Sequence, residues 1–281
     1  MHRVSTSSGF LCSEAGERAQ NIVALRQRKL SEDALNLLAE DVIVRLAGRH
    51  TASISVAAPP SEEELDALCD ALISSDADAG LALVTEYQER GITPDALYLG
   101  YVAGAARRLG ERWDTEQISI VDVSIGASRL YVIMSALRPT LLSGRLPRKT
   151  MSHALFASTP GETHTLGVTM AADLFRSRGW EIDLRTDLQH NELVSEIGHD
   201  RYKVIGLSAS SEKSIFSLTR LISSLRVSSP LSSILLSGEL ASIEPDLALL
   251  VDADSIAIDA NSAIGEMQRL LDVGMPTAAQ R

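Results

Sequence analysis

The rhythm of the chain changes after Met151, and that change limits the fold more than any other feature of its 281 residues. Short apolar runs at His153–Ser158, Trp180–Leu184, Val204–Leu207, Ser233–Leu236 and Ser255–Ile258 read as strands. Between and after them lie helix-period segments: one through Val168, Met170, Leu174 and Phe175, then Leu188–Ile197, Ile215–Leu225, Leu240–Leu250 and Ala260–Leu271. Strands that alternate with helices pair in parallel, because a parallel pair needs a crossover long enough to hold a helix. The expected fold is therefore α/β, a doubly wound five-stranded parallel sheet with helices on both faces. Ligands of such sheets sit beyond the carboxyl ends of the strands, which directs attention to the loops that follow them.

The residues before Met151 read differently. Ser61-Glu62-Glu63-Glu64 forms a capping box ahead of Leu65, Leu68, Leu72 and Ile73 at helical spacing. Asp76 is the expected cap of a second helix through Leu81, Leu83 and Val84, ended by Gly91. Thr93-Pro94 opens a third, with threonine as cap and proline at the first helical position, running to Trp113. A fourth spans about Ile118 to Leu142. Short connections between amphipathic helices predict antiparallel neighbours, hence a four-helix bundle over residues 61–143. Gly144-Arg145-Leu146-Pro147-Arg148-Lys149 is a linker to the sheet domain, placed at residues 151–275. Residues 1–60 read as an arm, polar over its first thirty residues, with one helix starting near Ser31 and a linker at Ala57-Ala58-Pro59-Pro60.

Composition narrows the function classes. With 26 Lys+Arg against 37 Asp+Glu the net charge is −11, so a broad grip on a phosphate backbone is not expected. Cys12 and Cys69 share no metal-site or redox spacing, which fits a reducing cytoplasm. The first nine residues lead into no long apolar core, and no run of apolar residues approaches the roughly 18–20 needed to span a bilayer. Neither a secretory signal nor a membrane span is expected. The fingerprints G-x-G-x-x-G and G-x-x-x-x-G-K-[ST] are absent, and no nucleophile stands paired with a base, so neither nucleotide hydrolysis nor other enzyme chemistry on the protein is expected.

The first strand runs into Thr159-Pro160-Gly161-Glu162-Thr163-His164-Thr165-Leu166-Gly167. His164 falls at a helix start, where the partial positive charge disfavours imidazolium, and neutral imidazole is a metal ligand. Glu162 is placed to accept from the other ring nitrogen and fix the tautomer. On the residues alone, His164 also reads as a plain helix cap on an exposed loop, and both readings stand. The third strand ends at Ser208-Ala209-Ser210-Ser211 and the fourth at Ser237-Gly238-Glu239, small residues that let a large ligand approach the backbone.

Glu162-x-His164-x-x-Gly167, then Ser208-x-Ser210, then Ser237-Gly238, together resemble the motif set of cobalamin-binding domains: D-x-H-x-x-G, S-x-L or S-x-T, and G-G at three strand ends. A helical bundle with a tryptophan before its last helix, here Trp113, is similar to the cap of such proteins. The glutamate variant resembles the AerR/PpaA antirepressors, relatives of the CarH photoreceptors and of the haem-binding domain of AppA. The resemblance covers about residues 61–271 and implies a flavodoxin-like or Rossmann-like sheet domain that binds cobalamin, or haem as the alternative. It implies His164 as the axial ligand to cobalt, with Glu162 orienting it and Thr163 beside it in the site. Gly167 would pass the nucleotide tail into the sheet. Ser208 and Ser210 would line the slot for the displaced benzimidazole, Ser237 and Gly238 would contact its tail, and Trp113 would cover the upper face. The implied partner is a transcriptional repressor of the CrtJ/PpsR type, met through the bundle and the N-terminal arm.

The sequence departs from that pattern in places. Ser210 replaces leucine or threonine, and Gly238 stands alone. Val123 and Ser124 stand where the photoreceptors carry a glutamate and a histidine, which favours an aquo or hydroxo upper ligand over adenosyl. One helix in residues 1–60 is too little for a DNA-reading module. A corrinoid carrier for methyl transfer is the enzymatic alternative.

Other residues receive plainer readings. His153, His190 and His199 are expected to be solvated or incidental, and Trp180 to lie in the core. Glu62-Glu63-Glu64 should be a solvated helix start, and Arg107, Arg108, Arg145, Arg148 and Lys149 should form surface ion pairs. Cys69 is expected to be inert, and Cys12 open to oxidation.

Overall fold

The computed structural model describes residues 59–143, 153–199, 202–244 and 246–273. The expected helix near Ser31, Cys12, the basic linker and the arm lie outside these residues.

Helix α1 (Glu62–Ile73) starts from a complete capping box: Glu64 N–H donates to Ser61 Oγ, and Ser61 N–H donates to Glu64 Oε2. Helix α2 (Ala79–Glu89) departs from expectation, because its cap position is Asp78 rather than Asp76. Asp76 instead accepts the Asp78 N–H at 3.0 Å, folding the turn before the helix. Helix α3 opens at Pro94–Ala96 under the Thr93 cap, passes through a π-helical stretch at Leu97–Val102 and continues as Ala103–Asp114. The spacing of apolar residues gave no sign of the π stretch. It holds Tyr98 and Tyr101 in the bundle core, where the Tyr101 hydroxyl donates to Glu64 at 3.0 Å.

Helix α4 (Ile120–Ser143) corrects an expectation. Its length and mean hydropathy of 1.5 match those of a membrane-crossing helix. Packing accounts for one side of it, where Gly126, Leu130, Ile133, Met134, Leu137 and Leu141 are buried against the other bundle helices, while Ile120, Val121, Ile125 and Val132 stay exposed. Arg108 and Arg112 of α3 pair with Asp66 at 2.9 Å each, and Arg112 with Asp70 at 2.7 Å, so α1 and α3 are joined by ion pairs. Glu62 also meets Arg108, so only part of the acid run is simply solvated.

The sheet domain follows as β1 (His153–Ser158), α5 (Leu166–Ser177), β2 (Glu181–Arg185), α6 (His190–His199), β3 (Val204–Ser208), a 3₁₀ turn Glu212–Ser214, α7 (Ile215–Ser228), β4 (Ser233–Ser237), α8 (Glu239–Ile243), α9 (Leu247–Val251), β5 (Ser255–Ile256) and α10 (Ala260–Val273). All five strands are parallel in the order β2-β1-β3-β4-β5, the flavodoxin-like arrangement. The single helix expected over Leu240–Leu250 is two. Glu244 precedes Pro245 and takes an extended backbone, as a residue before proline tends to.

One face of the sheet buries Leu155, Ala157, Ile205, Leu207, Ile234 and Leu236 under α6 and α7. The other buries Ala154, Phe156, Val204 and Leu235 with residues of α5 and α10, and Phe156, Phe175 and Trp180 stack edge to face. Trp180 thus lies in the core, one residue before β2 begins.

The bundle meets the sheet domain along α4 and α5. Asp173 of α5 is fully buried and accepts from Arg138 Nε at 2.8 Å, from the Tyr98 hydroxyl at 3.3 Å and from Arg176 at 3.3 Å. Asp173 is thus neutralised by two partly exposed arginines, one of which ties α4 to α5. Further along the contact, the Tyr131 and Thr165 hydroxyls lie 2.6 Å apart.

Candidate functional site

The site is built from the loop that leaves β1. Thr159-Pro160-Gly161-Glu162 closes a turn in which Glu162 N–H donates to the Thr159 carbonyl at 2.9 Å. Proline at the second position and Gly161 at φ +87° at the third are what a type II turn requires. Thr159 is tied down as well: its N–H and hydroxyl both donate to the Ser208 carbonyl, at 2.9 and 3.0 Å. The turn therefore directs Glu162 inward, where its side chain is 3% exposed.

Buried carboxylates need donors, and Glu162 has them. Its Oε1 accepts from the His164 N–H at 2.9 Å and from His164 Nδ1 at 2.8 Å. Its Oε2 accepts from the Ser210 N–H at 2.9 Å, the Ser210 hydroxyl at 2.6 Å and the Ser214 hydroxyl at 3.2 Å. Burial raises the Glu162 pKa, but the hydrogen bonds from Ser210 and His164 outweigh it and hold the carboxyl down at about 2. The side chain is an anion that orients the imidazole through Nδ1. Nε2 is thereby the nitrogen left for a ligand, on a side chain that is 76% exposed.

The remaining residues singled out in the sequence fall around this centre in different ways. Ser158, Ser208 and Ser237 are register partners across β1, β3 and β4, and they share the face covered by α5 and α10. They form a short row of hydroxyl-bearing residues at the carboxyl edge, above Phe156, Gly206 and Leu235. Gly167 lies in the first turn of α5, and open space surrounds the position a Cβ would take. Thr163 is exposed, and its carbonyl accepts the Thr165 N–H. Trp113 stands 47% exposed at the end of α3, before the turn into α4.

Two of these residues also carry structural roles. Ser210, expected to line a slot, has its hydroxyl and N–H both engaged by Glu162. Gly238, expected to contact the ligand's tail, has its backbone at φ +98°, and a Cβ there would run into the Ala209 carbonyl. Gly238 is required by the fold itself, because Ala209 N–H donates to Ser237 O and Leu240 N–H to Ala209 O across the same crossing. Sequence reasoning missed Ser214. Its position in the 3₁₀ turn brings it back to Glu162, and the only available signal was the serine-rich stretch after β3.

Of the plainly read histidines, His153 is not incidental. Its Nε2 pairs with Asp183 at 2.9 Å, and its ring packs on Tyr202, whose hydroxyl donates to Asp183 at 2.7 Å. His190 Nε2 lies 3.3 Å from the Ser224 hydroxyl, and the His199 side chain lies outside the described residues. Cys69 is buried, and burial pushes its thiol up to about 11, in keeping with an inert role.

No cluster of three metal-ligating side chains exists among the described residues. A lone imidazole cannot hold a bare ion, but it can supply one axial position to a metal whose equatorial ligands come with a macrocycle. In the bundle, the first turns of α4 expose Ile120, Val121 and Ile125 around a hollow of about 400 Å³. The Ser124 and Ser128 hydroxyls there donate to carbonyls of their own helix, which leaves the hollow largely apolar. A flat, largely apolar ring with a single open axial position fits this donor set.

Comparison with known proteins gives the same picture. A B12 binding domain model matches residues 152–267, and a second B12 binding domain model matches residues 64–138. The monomethylamine corrinoid protein of Methanosarcina barkeri has the same fold, with a TM-score of 0.64 at 18% identity, covering 75% of this chain and 100% of that one. An uncharacterised 20.5 kDa protein from the bchF-crtJ intergenic region of Rhodobacter capsulatus is 30% identical over 97 residues, 34% of this chain. That alignment spans 50% of the relative's length. The chain is a cobalamin-binding protein whose helical and α/β parts each match a B12 binding domain.

Proposed function

We propose that the chain is a cobalamin-loaded transcriptional antirepressor, with His164 Nε2 as the axial ligand and a repressor of the CrtJ/PpsR type as its partner. The observation that carries the ligand assignment is the engagement of Nδ1 by a buried, fully satisfied Glu162, which leaves Nε2 directed outward. Bound cobalamin would supply a metal centre whose upper ligand changes with light or redox state. The chain's own residues then do three things. Glu162, Ser210 and Ser214 fix the imidazole, the serine row with Gly167 leaves room for a nucleotide tail, and the apolar turns of α4 with Trp113 cover the ring. Val123 and Ser124, standing where the related photoreceptors carry a glutamate and a histidine, favour an aquo or hydroxo upper ligand over adenosyl.

The regulatory part rests on the motif resemblance and on the Rhodobacter relative, whose name places it beside crtJ. The net charge of −11 supports action through a protein rather than through DNA. A ligand that favours one bundle position over another shifts their populations, which is how an upper-ligand change would reach the partner. The likeness to the Methanosarcina corrinoid protein over its full length favours a second reading, a corrinoid carrier for methyl transfer.

The test uses purified protein reconstituted with cobalamin and separately with haem, absorption spectra in light and dark, and gel-shift competition against the repressor. Reduced operator occupancy by the loaded protein supports the reading. A haem spectrum with no cobalamin uptake, or methyl transfer to an acceptor without any repressor contact, overturns it.

A further inference from the structure

Only four phenylalanines occur in the chain. Phe156 and Phe175 are core residues, but Phe216, in the first turn of α7, is 78% exposed. Val227, three turns on along the same helix face, is 84% exposed. Between α6 and α7 these residues, with Val194, Thr219 and Ser223, line a groove of about 690 Å³. The groove is more apolar than its composition suggests. Thr219 and Ser223 donate their hydroxyls to carbonyls one turn back, leaving no free hydroxyl donor toward the opening.

At the centre stands Arg220, exposed and without a hydrogen bond or ion pair among the described residues, although acidic residues outnumber basic ones 37 to 26. His190 at the groove's edge is turned toward Ser224, and its pKa is lowered by burial and then by Arg220, so it adds no second cation at neutral pH. An aromatic ring and an arginine side by side are the residue types that dominate interface energetics.

The groove also starts close in sequence to a residue that holds Glu162. Phe216 follows Ser214 by two residues, and Ser214 holds Glu162. The groove lies on the α6–α7 face of the sheet, whereas the bundle meets the sheet domain through α5, so it would add a second contact to the one expected through the bundle and the N-terminal arm.

We propose that the α6–α7 groove docks an amphipathic helix of the partner regulator, apolar along one side and bearing one carboxylate that meets Arg220. This is the helix-in-groove mode of recognition, with charge complementarity setting the register. The identity of the protein that supplies the helix rests on the antirepressor reading. The docking surface rests on Phe216, Val227 and the unpaired Arg220.

The experiment has two arms on the full chain. In the first, a synthetic amphipathic helix with leucines on one face and a central glutamate is titrated into ¹⁵N-labelled protein, beside its Glu→Lys counterpart. Amide shifts confined to residues 190–198 and 215–228, with about tenfold weaker binding of the lysine peptide, are expected. Shifts elsewhere, or none, overturn the proposal. In the second arm, Phe216→Ala and Arg220→Glu are tested against a purified repressor of the CrtJ type. Each should weaken binding by about tenfold or more while leaving the melting temperature and the cobalamin spectrum unchanged. Unweakened binding by both variants overturns the groove but leaves the antirepressor reading standing. If the unaltered chain does not bind the repressor, the antirepressor reading fails, and the peptide map alone decides the groove. Self-association of the chain that Arg220→Glu abolishes would show a second copy as the occupant and would also overturn the proposal.

Discussion

Strand β1 has a histidine near each end, each beside a carboxylate, and the two pairs are built to opposite purposes. At the amino end His153 spends Nε2 on Asp183 and lays its ring on Tyr202. At the carboxyl end His164 gives Nδ1 to a glutamate that four other donor groups also satisfy, and its ring stands 76% exposed. The first pair joins β1, β2 and the entry to β3. The second holds a ligand nitrogen ready. Ligand capacity therefore resides in which ring nitrogen is left over, and that is decided by the carboxylate's other partners rather than by the His–acid pairing itself.

The largest expected effect separates the two ends. His164→Ala should weaken cobalamin binding by at least about a hundredfold and shift the bound cofactor's visible spectrum, whereas His153→Ala should leave both unchanged. Equal spectra for His164→Ala and the parent protein would erase the distinction. Glu162→Gln should come next. It keeps the shape but loses the charge, and about 10–100-fold weaker binding is expected, as for other groups that orient a metal ligand. Ser214→Ala removes one of the donors to Glu162 and should fall below that range, measured by the same titration.

Gly238→Leu sharpens a different point. Because the Ala209 carbonyl occupies the space, the variant should lose stability first and cobalamin with it, and circular dichroism melts will separate this from simple blockage. The smallest effect belongs to the amino end, where His153→Ala should cost about 1 kcal/mol of stability. Asp183 adds a pH signature. Burial raises its pKa, and the Tyr202 and His153 hydrogen bonds overcome that, so the folded value lies below the unfolded one. The carboxylate's contribution is present above the unfolded value and is lost as pH falls through the folded one. Melting temperatures of the parent protein and Asp183→Asn should therefore converge in acid and separate toward neutrality.

Much of this was legible before any coordinates. Strand β1 was read as His153–Ser158 because an apolar run between a basic linker and Thr-Pro-Gly has only one sensible reading. Glu162 and His164 were legible because a parallel sheet puts function in the loop after a strand. Ser214 was hidden because its approach depends on a 3₁₀ turn that serine content does not announce. Gly238 was read as a ligand contact because spacing shows that a residue is small, not what crowds it. The π-helical stretch of α3 leaves no trace in apolar spacing. His153 was misjudged because its partners come from β2 and the residue before β3, brought together only by sheet order.

The contact between α4 and α5 has a mechanical consequence. Tyr131 and Arg138 attach α4 to α5 at two points seven residues apart, about 10 Å along the axis. The turns from Ile120 to Ser128 extend past the nearer attachment, about 16 Å beyond Tyr131 at Ile120, and Gly126 among them packs against Leu109 and Ile73 of the bundle. Arg138, bonded to a buried aspartate, is the firmer fulcrum, and Tyr131 rests on the residue next to His164. A sideways displacement of the His164 loop would thus pass through Tyr131 into the bundle core that α4 shares with α1 and α3.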